Sequence, residues 1–252
     1  MADFGSDLEL ESFRAEARAW LEENFPPSLR GKTGIAAQLM DGPEPTGDVL
    51  LWKQRMGAKG WGTPTWPTEY GGQARSSMDQ LIFTDEAAIA GAPVPFLTIN
   101  SVAPTIMRYG TDEQKAFFLP KIAAGELHFS IGYSEPGAGT DLASLRTTAV
   151  LDGDEFVING QKMWTSLIPY ADWVWLAVRT DPDARKHKGI SMLLVPTTAE
   201  GFSYTPVHTM AGVDTSATYY QDVRVPKTAL VGELGGGWPL VTNQLNNERV
   251  AL

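Results

Sequence analysis

The sequence predicts an α+β protein in three parts: an N-terminal all-α helical domain over residues 1–125, a domain of short strands over 126–236, either a small β-barrel or a sandwich, and over 237–252 the start of a further helical region. Three observations predict this class. Apolar residues recur at helical spacing before Glu126. Short apolar runs bounded by glycine, proline and aspartate follow it, and helical spacing returns from Leu240. Helices and strands that are segregated along a chain are typical of α+β proteins with separate domains.

Five helices account for the first domain. The first, over residues 8–24, has an apolar stripe that includes Leu10, Phe13 and Ala17, and it ends before Pro26. A glycine follows each of the other four and predicts where they stop. Thr111, with Gln114 three residues later, is the pattern of a capping box. These four helices are predicted over residues 48–59, 76–90, 97–109 and 112–124.

The second domain begins where the period of the pattern changes. Residues 147–151 and 155–159 flank Asp152-Gly153, a turn pair that favours a β-hairpin. Evenly spaced short strands are typical of a small barrel or sandwich. Residues 235–239 predict a linker to the last helix. Further strands are predicted over residues 173–178, 190–195, 202–207 and 218–225.

Composition excludes several classes of function. The 252 residues carry 20 basic and 30 acidic side chains, a net charge of −10, which argues against nucleic acid as a partner. The absence of cysteine excludes disulfides, thiolate catalysis and cysteine-ligated metals. Three histidines, far apart in sequence, predict no metal site. No long apolar stretch and no secretory signal are visible, so we expect a cytoplasmic protein without a membrane span.

Two segments stand out as candidates for chemistry. Residues 131–141, IGYSEPGAGTD, form a glycine-rich loop whose backbone N–H groups and hydroxyls suit phosphate or heterocycle edges. Residues 159–166, NGQKMWTS, place two hydroxyls directly after Trp164. Taken separately, the first segment is more typical of a tight turn, and Trp164 is more typical of a buried core tryptophan at a strand end.

Taken together and in this order, the two segments closely resemble the acyl-CoA dehydrogenase family. Other stretches agree with this resemblance, and it extends from about residue 8 to residue 252. It implies an FAD enzyme with a helical, a β-barrel and a second helical domain. The second helical domain is expected to be truncated here. We therefore expect this chain to be poorly active alone. The agreeing stretches are GWG at 60–62, EYGG at 69–72, YGTDEQK at 109–115, DVRVP at 222–226 and GW at 237–238.

The resemblance also assigns residues to the flavin. The glycine-rich loop is expected to line the pyrimidine side of the flavin and its pyrophosphate. Thr140 supplies the hydroxyl at the pyrophosphate position and is also assigned to substrate binding. Trp164 is expected to pack on the flavin ring, and Ser166 to reach flavin N5. The implied FAD contacts are Ile131, Gly132, Tyr133, Ser134, Gly139, Thr140, Trp164, Thr165 and Ser166.

The family oxidises an acyl-CoA thioester to the trans-2-enoyl-CoA: a carboxylate removes the α-proton while the β-hydrogen leaves as hydride to flavin N5. Glu248, within LNNER, resembles the base of members that carry it on the first helix of the C-terminal domain. The alternative is a base in the missing region, with Glu248 on a helix surface. Glu135 and Asp141 are carboxylates that we do not choose. Glu135 is expected to bond backbone within its loop, and Asp141 to start or cap the next segment.

The substrate and the partners are less visible. Residues 91–96, GAPVPF, and 101–104, SVAP, resemble members that act on bulky acyl-CoAs such as steroid side chains, although such small residues equally allow close helix packing. The expected partners are an acyl-CoA, an electron-transfer flavoprotein or similar acceptor, and further subunits of a homo- or hetero-oligomer bound through the C-terminal domain. The alternatives are a non-catalytic or FAD-binding subunit of a heteromer, and a relative of acyl-CoA oxidase or nitroalkane oxidase.

Overall fold

The computed structural model describes residues 7–31, 47–94, 97–210 and 214–251, and it confirms the α+β class: helices, then a sheet, then one more helix. Within these ranges, no helix is both long enough and apolar enough to cross a membrane. The helices are α1 (Asp7–Asn24), α2 (Asp48–Lys59), α3 (Ser77–Ala90), α4 (Ala103–Tyr109), α5 (Asp112–Ala123) and α6 (Gly237–Ala251).

Local sequence signals determine most helix ends. The Thr111 hydroxyl accepts the Gln114 N–H while the Gln114 side chain accepts the Thr111 N–H, so the predicted capping box forms.

The predicted starts of two helices need correction. The helix over 97–109 opens with a π-helical stretch, Thr98–Val102, in which the Ser101 hydroxyl donates to a carbonyl four residues earlier. The last helix starts at Gly237 within the predicted linker, because a proline is tolerated in the first helical turn.

The second half of the chain forms one eight-stranded sheet in the order β6-β7-β3-β2-β4-β5-β8, and β1 pairs with β4. Strands β1 and β2 lie one after the other along the same edge of β4. The end strands β6 and β8 do not pair, so the sheet is open and the predicted barrel is not closed. The strands are β1 (Phe129–Gly132), β2 (Thr148–Asp152), β3 (Glu155–Lys162), β4 (Trp173–Arg179), β5 (Ile190–Pro196), β6 (Phe202–Val207), β7 (Thr215–Pro226) and β8 (Leu230–Val231).

Strand β3 continues beyond the predicted residues 155–159, because residues 160–162 pair with residues 218–220 of its partner β7. The ladder between them shifts register between Ile158 and Gly160 and then continues to Lys162. A Cβ at Gly160 would lie 2.5 Å from the Thr147 hydroxyl oxygen, and its φ of +152° disfavours other residues, so glycine is required there. This extension delivers Lys162 and the residues after it to one end of the sheet.

The buried apolar residues form clusters that do not follow the change from helix to strand along the chain. One cluster joins α1, α2 and α3 through an aromatic group that includes Trp52, Trp61 and Phe83. A second joins α4, α5 and α6 to one face of the sheet, where Trp175 and Met192 are fully buried. A third lies on the opposite face of the sheet. Helix α6 is therefore held by the N-terminal helices and by β5 together.

A buried contact between Lys53 on α2 and His128 links the helices to the start of β1. Lys53 Nζ lies 3.1 Å from His128 Nε2, and both residues are buried. Burial, and then the positive charge of Lys53, lower the pKa of His128 to about 4. Because this value is below that of an unfolded histidine, the folded state binds the proton less readily than the unfolded state. The resulting stabilisation is complete above about pH 6.5 and is lost as the pH falls toward 4.

We therefore expect the free energy of unfolding to fall by up to about 3 kcal/mol between pH 6.5 and pH 4 through this one histidine. Urea unfolding at several pH values measures it. In His128→Gln this part of the pH dependence should disappear. In His208→Gln, which changes a histidine that is 82 % exposed, it should remain. Equal acid sensitivity in the parent and in His128→Gln would contradict the assignment.

Candidate functional site

A cleft of about 210 Å³ opens where the ends of β1 and β3 meet α6. Ile131 on β1 and Glu248 on α6 both line it. The cleft brings together predicted residues from the glycine-rich loop, from the NGQKMWTS segment and from the last helix. Its lining consists of Leu97, Ile131, Tyr133, Ser134, Met163, Trp164, Ser166, Leu245 and Glu248.

Backbone and side-chain bonds join the two segments that the sequence singles out. The Met163 N–H donates to the Ser134 carbonyl at 2.8 Å. The fully buried Lys162 ammonium donates to the Tyr133 carbonyl at 3.0 Å and to the Glu135 carboxylate at 2.9 Å. Since β3 carries Lys162 and β1 leads into Tyr133, the sheet fixes the position of one segment against the other.

Glu135 helps to hold the glycine-rich loop against the NGQKMWTS segment. Its carboxylate accepts the backbone N–H groups of Arg146 at 2.7 Å and Thr147 at 2.8 Å, besides the Lys162 ammonium. Burial by itself would raise the pKa of Glu135. The charge and hydrogen bond of Lys162 and the bond to Thr147 outweigh burial and lower it. As expected from the sequence, Glu135 bonds backbone N–H groups, but these belong to Arg146 and Thr147 and lie beyond the glycine-rich loop, not within it. The other unchosen carboxylate, Asp141, is exposed and pairs with Lys186 at 2.6 Å.

Trp164 is not a core residue, so the buried alternative for it is wrong. Its side chain is 60 % exposed and lines the cleft, and its backbone has a φ of +65°, which is uncommon for a large residue. The next residue, Thr165, is buried and its N–H donates to the Ser216 carbonyl at 2.9 Å. The chain thus anchors Thr165 in the sheet and turns the Trp164 ring outward. A flat exposed ring in a cleft can stack on another planar ring system.

The remaining predicted contacts lie around the cleft and do not line it. Gly132 is buried in β1, where a Cβ would lie 2.8 Å from the Leu176 side chain, so its role here is close packing against β4. Gly139 and Thr140 are exposed on the loop beside the cleft, and a Cβ at Gly137 or Gly139 would meet nothing within 4 Å. The backbone of this loop is therefore open to a ligand.

The Tyr133 side chain points into the protein. Its hydroxyl oxygen accepts the Trp175 Nε1–H at 3.0 Å, and the residue is buried. Burial raises the pKa of Tyr133 far above its ordinary value; the Trp175 bond opposes this, and the negative charge of the nearby Glu248 adds to it. The phenol and the Glu248 carboxylate therefore belong to one electrostatic environment. In this arrangement, the Ser134 hydroxyl has no hydrogen bond to another described residue and remains for a ligand in the cleft. The Ser166 hydroxyl donates to the Thr215 hydroxyl at 3.3 Å, and its oxygen can still accept a hydrogen bond.

Glu248 is half-buried on the face of α6 that borders the cleft. Gln244, one turn earlier, is fully buried and donates from Nε2 to the Glu248 Oε2 atom at 2.8 Å. The Gln244 Oε1 atom is buried and has no hydrogen-bond partner. Among the described residues, the Ser216 hydroxyl is the one other buried side-chain group in this condition.

Within the described residues, no group of three or more His, Cys, Asp or Glu side chains could hold a metal ion.

Sequence reasoning missed four residues of this site. Leu245 and Gln244 stand three and four positions before Glu248, so helical spacing alone places them on its face and could have found them. Met163 stands inside the NGQKMWTS segment, beside residues that were selected. Leu97 carries no local signal, because it reaches the cleft through the packing of the π-helical stretch against α6.

Comparison with known proteins gives independent evidence on the family of this chain. A family model described as "Acyl-CoA dehydrogenase, N-terminal domain" matches residues 7–126, and one described as "Acyl-CoA dehydrogenase, middle domain" matches residues 130–223. The curated acyl-CoA dehydrogenase FadE26 of Mycobacterium tuberculosis is 69 % identical over 246 residues, which are 96 % of this chain and 60 % of that protein. The chain therefore spans about 60 % of the length of this relative.

Two solved structures are also similar. The crystal structure of the ChsE4-ChsE5 complex from Mycobacterium tuberculosis matches with a TM-score of 0.82 and 66 % identity, over 98 % of this chain and 62 % of that one. A structure described as the Tcur3481-Tcur3483 steroid ACAD matches with a TM-score of 0.85 and 50 % identity, over 99 % of this chain and 63 % of that one.

Proposed function

Because this chain belongs to the acyl-CoA dehydrogenase family, we propose that its cleft binds FAD and that it serves the oxidation of an acyl-CoA thioester to the trans-2-enoyl-CoA. One observation carries the proposal: the exposed ring of Trp164 and the carboxylate of Glu248 line the same cleft, although they come from different elements. An aromatic plate and a carboxylate on one cavity suit a flavin and a proton acceptor.

The residues present fit an FAD. Members of the family bind this cofactor. In our proposal the Trp164 ring packs on the flavin, the Ser134 and Ser166 hydroxyls bond its edges, and the open loop around Gly139 and Thr140 supplies N–H and hydroxyl donors for the pyrophosphate. When bound, the flavin supplies the acceptor for the β-hydrogen of the substrate.

The chain's own residues supply the proton chemistry. We assign the base to Glu248, whose carboxylate takes the α-proton of the thioester onto an oxygen atom. Leu97, Ile131 and Leu245 contribute apolar side chains to the cleft that Glu248 lines. In our proposal, these side chains together with the bound acyl group keep water away from the carboxylate. Exclusion of water strengthens every electrostatic interaction around the developing negative charge of the substrate.

We further propose a bulky acyl-CoA as the substrate, with a steroid side chain as the leading candidate. The support is the similarity to a structure described as a steroid ACAD. The small residues noted in the sequence support it less, because Ala92 and Ala103 are buried and serve helix packing. Pro95 and Phe96 of the GAPVPF segment lie outside the described residues.

A second candidate is a subunit that acts only within a heteromeric enzyme. The descriptions of two similar structures each name a pair of proteins, ChsE4-ChsE5 and Tcur3481-Tcur3483. Our chain covers only part of the length of the matched chain in each structure. In this case a different subunit completes the FAD site or the substrate wall. An electron-transfer flavoprotein or similar acceptor would then reoxidise the flavin in either arrangement.

Anaerobic reduction of the FAD-loaded protein by a panel of acyl-CoAs tests the proposal. We expect bleaching of the oxidised flavin, fastest with a steroid-side-chain thioester, and a reduced flavin that persists until an electron acceptor is added. Rapid oxygen consumption by the reduced flavin, once air is admitted to the reduced sample, would favour the oxidase-like alternative. Reduction that requires a second subunit would favour the heteromeric one. A protein that binds no FAD alone or in a complex would overturn the proposal.

Trp164 offers a separate test of the cofactor site. In Trp164→Gly we expect FAD affinity to fall about 5- to 150-fold, because stacking of an aromatic side chain on a heterocycle contributes about 1–3 kcal/mol. The stability of the FAD-free protein should be unchanged or higher, because glycine relieves the positive φ. Flavin fluorescence titration and urea unfolding measure the two quantities. Tyr204→Ala, at an exposed aromatic on β6, is the control and should leave FAD affinity unchanged. An unaltered affinity in Trp164→Gly would contradict the stacking role.

A further inference from the structure

The side chain of Gln244 is in an unusual position for a helix residue. It is fully buried, its Nε2–H donates to Glu248 Oε2 at 2.8 Å, and its Oε1 atom has no partner. A buried amide oxygen without a hydrogen bond costs about 1–3 kcal/mol of stability. An apolar side chain of the same size would avoid this cost. The fold therefore tolerates an unfavourable group at a position that touches the Glu248 carboxylate from within its own helix.

The structure also leaves Glu248 little other support. Among the described residues, its hydrogen bond to Gln244 is the one side-chain bond that the carboxylate makes. Tyr133 stands near it, and its phenol oxygen accepts the Trp175 Nε1–H, but among the described residues no hydrogen bond joins the phenol to Glu248. The apolar residues Leu97 and Leu245 line the cleft beside it. Without Gln244, the Glu248 side chain would be free to change rotamer within the cleft or to turn toward solvent.

We propose that Gln244 is the positioning residue of Glu248, and that its amide serves both protonation states of this carboxyl group. In the ionised state, Nε2–H donates to the carboxylate, as in the structure. After Glu248 has taken a proton, a half-turn of the amide presents Oε1, which accepts the new O–H. The amide nitrogen and oxygen are almost equal in size, so the half-turn needs no added space. The unpartnered oxygen is the acceptor held for the second state.

This inference rests on the proposed function, since it concerns the base of that reaction. It explains why a neutral amide stands here. A lysine could only donate, and its charge would compete with the proton that Glu248 must receive. A methionine would fill the same space but would hold neither state of the carboxyl group. The proton balance is simple: the proton leaves the substrate α-carbon and joins a Glu248 oxygen, while Gln244 exchanges one hydrogen bond for another.

The experiment compares the parent protein with Gln244→Met, Gln244→Leu, Glu248→Gln and the control Asn246→Ala, which changes an exposed residue of α6. The first readout is anaerobic flavin reduction in the FAD-loaded protein. In Gln244→Met we expect the rate at saturating acyl-CoA to fall about 10- to 100-fold, since small misplacements of a reacting group have effects of this size. The half-saturating concentration should not change. The melting temperature should hold or rise, because an unpaired buried oxygen is removed.

The second readout does not depend on activity. In protein labelled with ¹³C at the glutamate carboxyl groups, the Glu248 resonance is identified by its absence in Glu248→Gln. We expect it to move in Gln244→Met and to stay in place in Asn246→Ala.

Three other results would overturn either the inference or the assignment of the base. An unmoved resonance and an unchanged rate in Gln244→Met would overturn the inference while leaving the proposed function standing. Loss of the fold in both Gln244→Met and Gln244→Leu would also overturn it, since the residue would then be structural. Normal flavin reduction in Glu248→Gln would instead reject Glu248 as the base in the proposed function, whatever the resonance shows. The two failures are therefore distinguishable.

Discussion

Glu248→Gln is expected to slow anaerobic flavin reduction by acyl-CoA about 10²- to 10⁴-fold, because positioned general bases contribute factors of this size. The substitution keeps the shape of the side chain and removes its ability to accept a proton. FAD should stay bound, since Glu248 lies on α6 while the proposed flavin contacts come from the loop after β1 and the segment after β3. Stopped-flow absorbance of the flavin measures the rate, and flavin content after gel filtration measures the binding.

The matched control is Glu233→Gln, which removes one carboxylate from the exposed segment before α6 and should leave the rate unchanged. Normal reduction in Glu248→Gln would place the base elsewhere. That outcome would favour the alternative that the sequence left open, in which a carboxylate outside this chain takes the α-proton. Loss of FAD together with loss of the rate would show that Glu248 acts on the cofactor site as a whole.

Glu135→Gln is expected to lower the free energy of unfolding by about 3–5 kcal/mol, because it leaves the buried Lys162 ammonium without its counter-charge. The same carboxylate holds two backbone N–H groups of the loop that leads into β2, so the flavin loop should loosen as well. Urea unfolding at pH 7 measures the stability. In the FAD-loaded protein, a faster release of flavin reports the loosening.

A double-mutant cycle separates the ion pair from the rest. Lys162→Met removes the buried charge, so the double variant Glu135→Gln with Lys162→Met should recover part of the loss. Asp141→Asn, which breaks the exposed pair with Lys186, is the control and should change stability little. Equal losses from Glu135→Gln alone and in the presence of Lys162→Met would show that the backbone bonds of Glu135, and not the charge pair, carry the effect.

Local patterns predicted most of the helical elements of this fold. The capping box at Thr111 and the apolar stripe of α1 depend on neighbours within four residues, so the sequence contains them in full. The strands β1 and β8 were not predicted, because four and two residues are too few to show a period. Likewise, the open edges of the sheet depend on which strands pair at a distance, and no local pattern encodes that choice.

For the candidate site, too, the sequence predicted some features and not others. Its residue types were visible because two compact segments contain them, and the resemblance ordered them. Their orientations were not visible. Tyr133 points inward because its partner Trp175 comes from β4, and Trp164 points outward because Thr165 is held by Ser216 on β7. Leu97 reaches the cleft only through helix packing. Contacts of this kind join residues far apart in the chain, so only the folded structure reveals them.

The shared core of α4, α5, α6 and the sheet bears on how this protein could be divided. The pattern of the sequence changes at residue 126, but a cut there would split one buried cluster between two pieces, with Phe118 and Leu119 on one side and Phe129 and Trp175 on the other. A cut between α3 and the π-helical stretch would keep the first cluster together and would separate from the second only Trp66 and the partly buried Tyr70. The unit that unfolds cooperatively around the cleft therefore includes the last two N-terminal helices. Exchange of modules between relatives should preserve function best when those helices travel with the sheet.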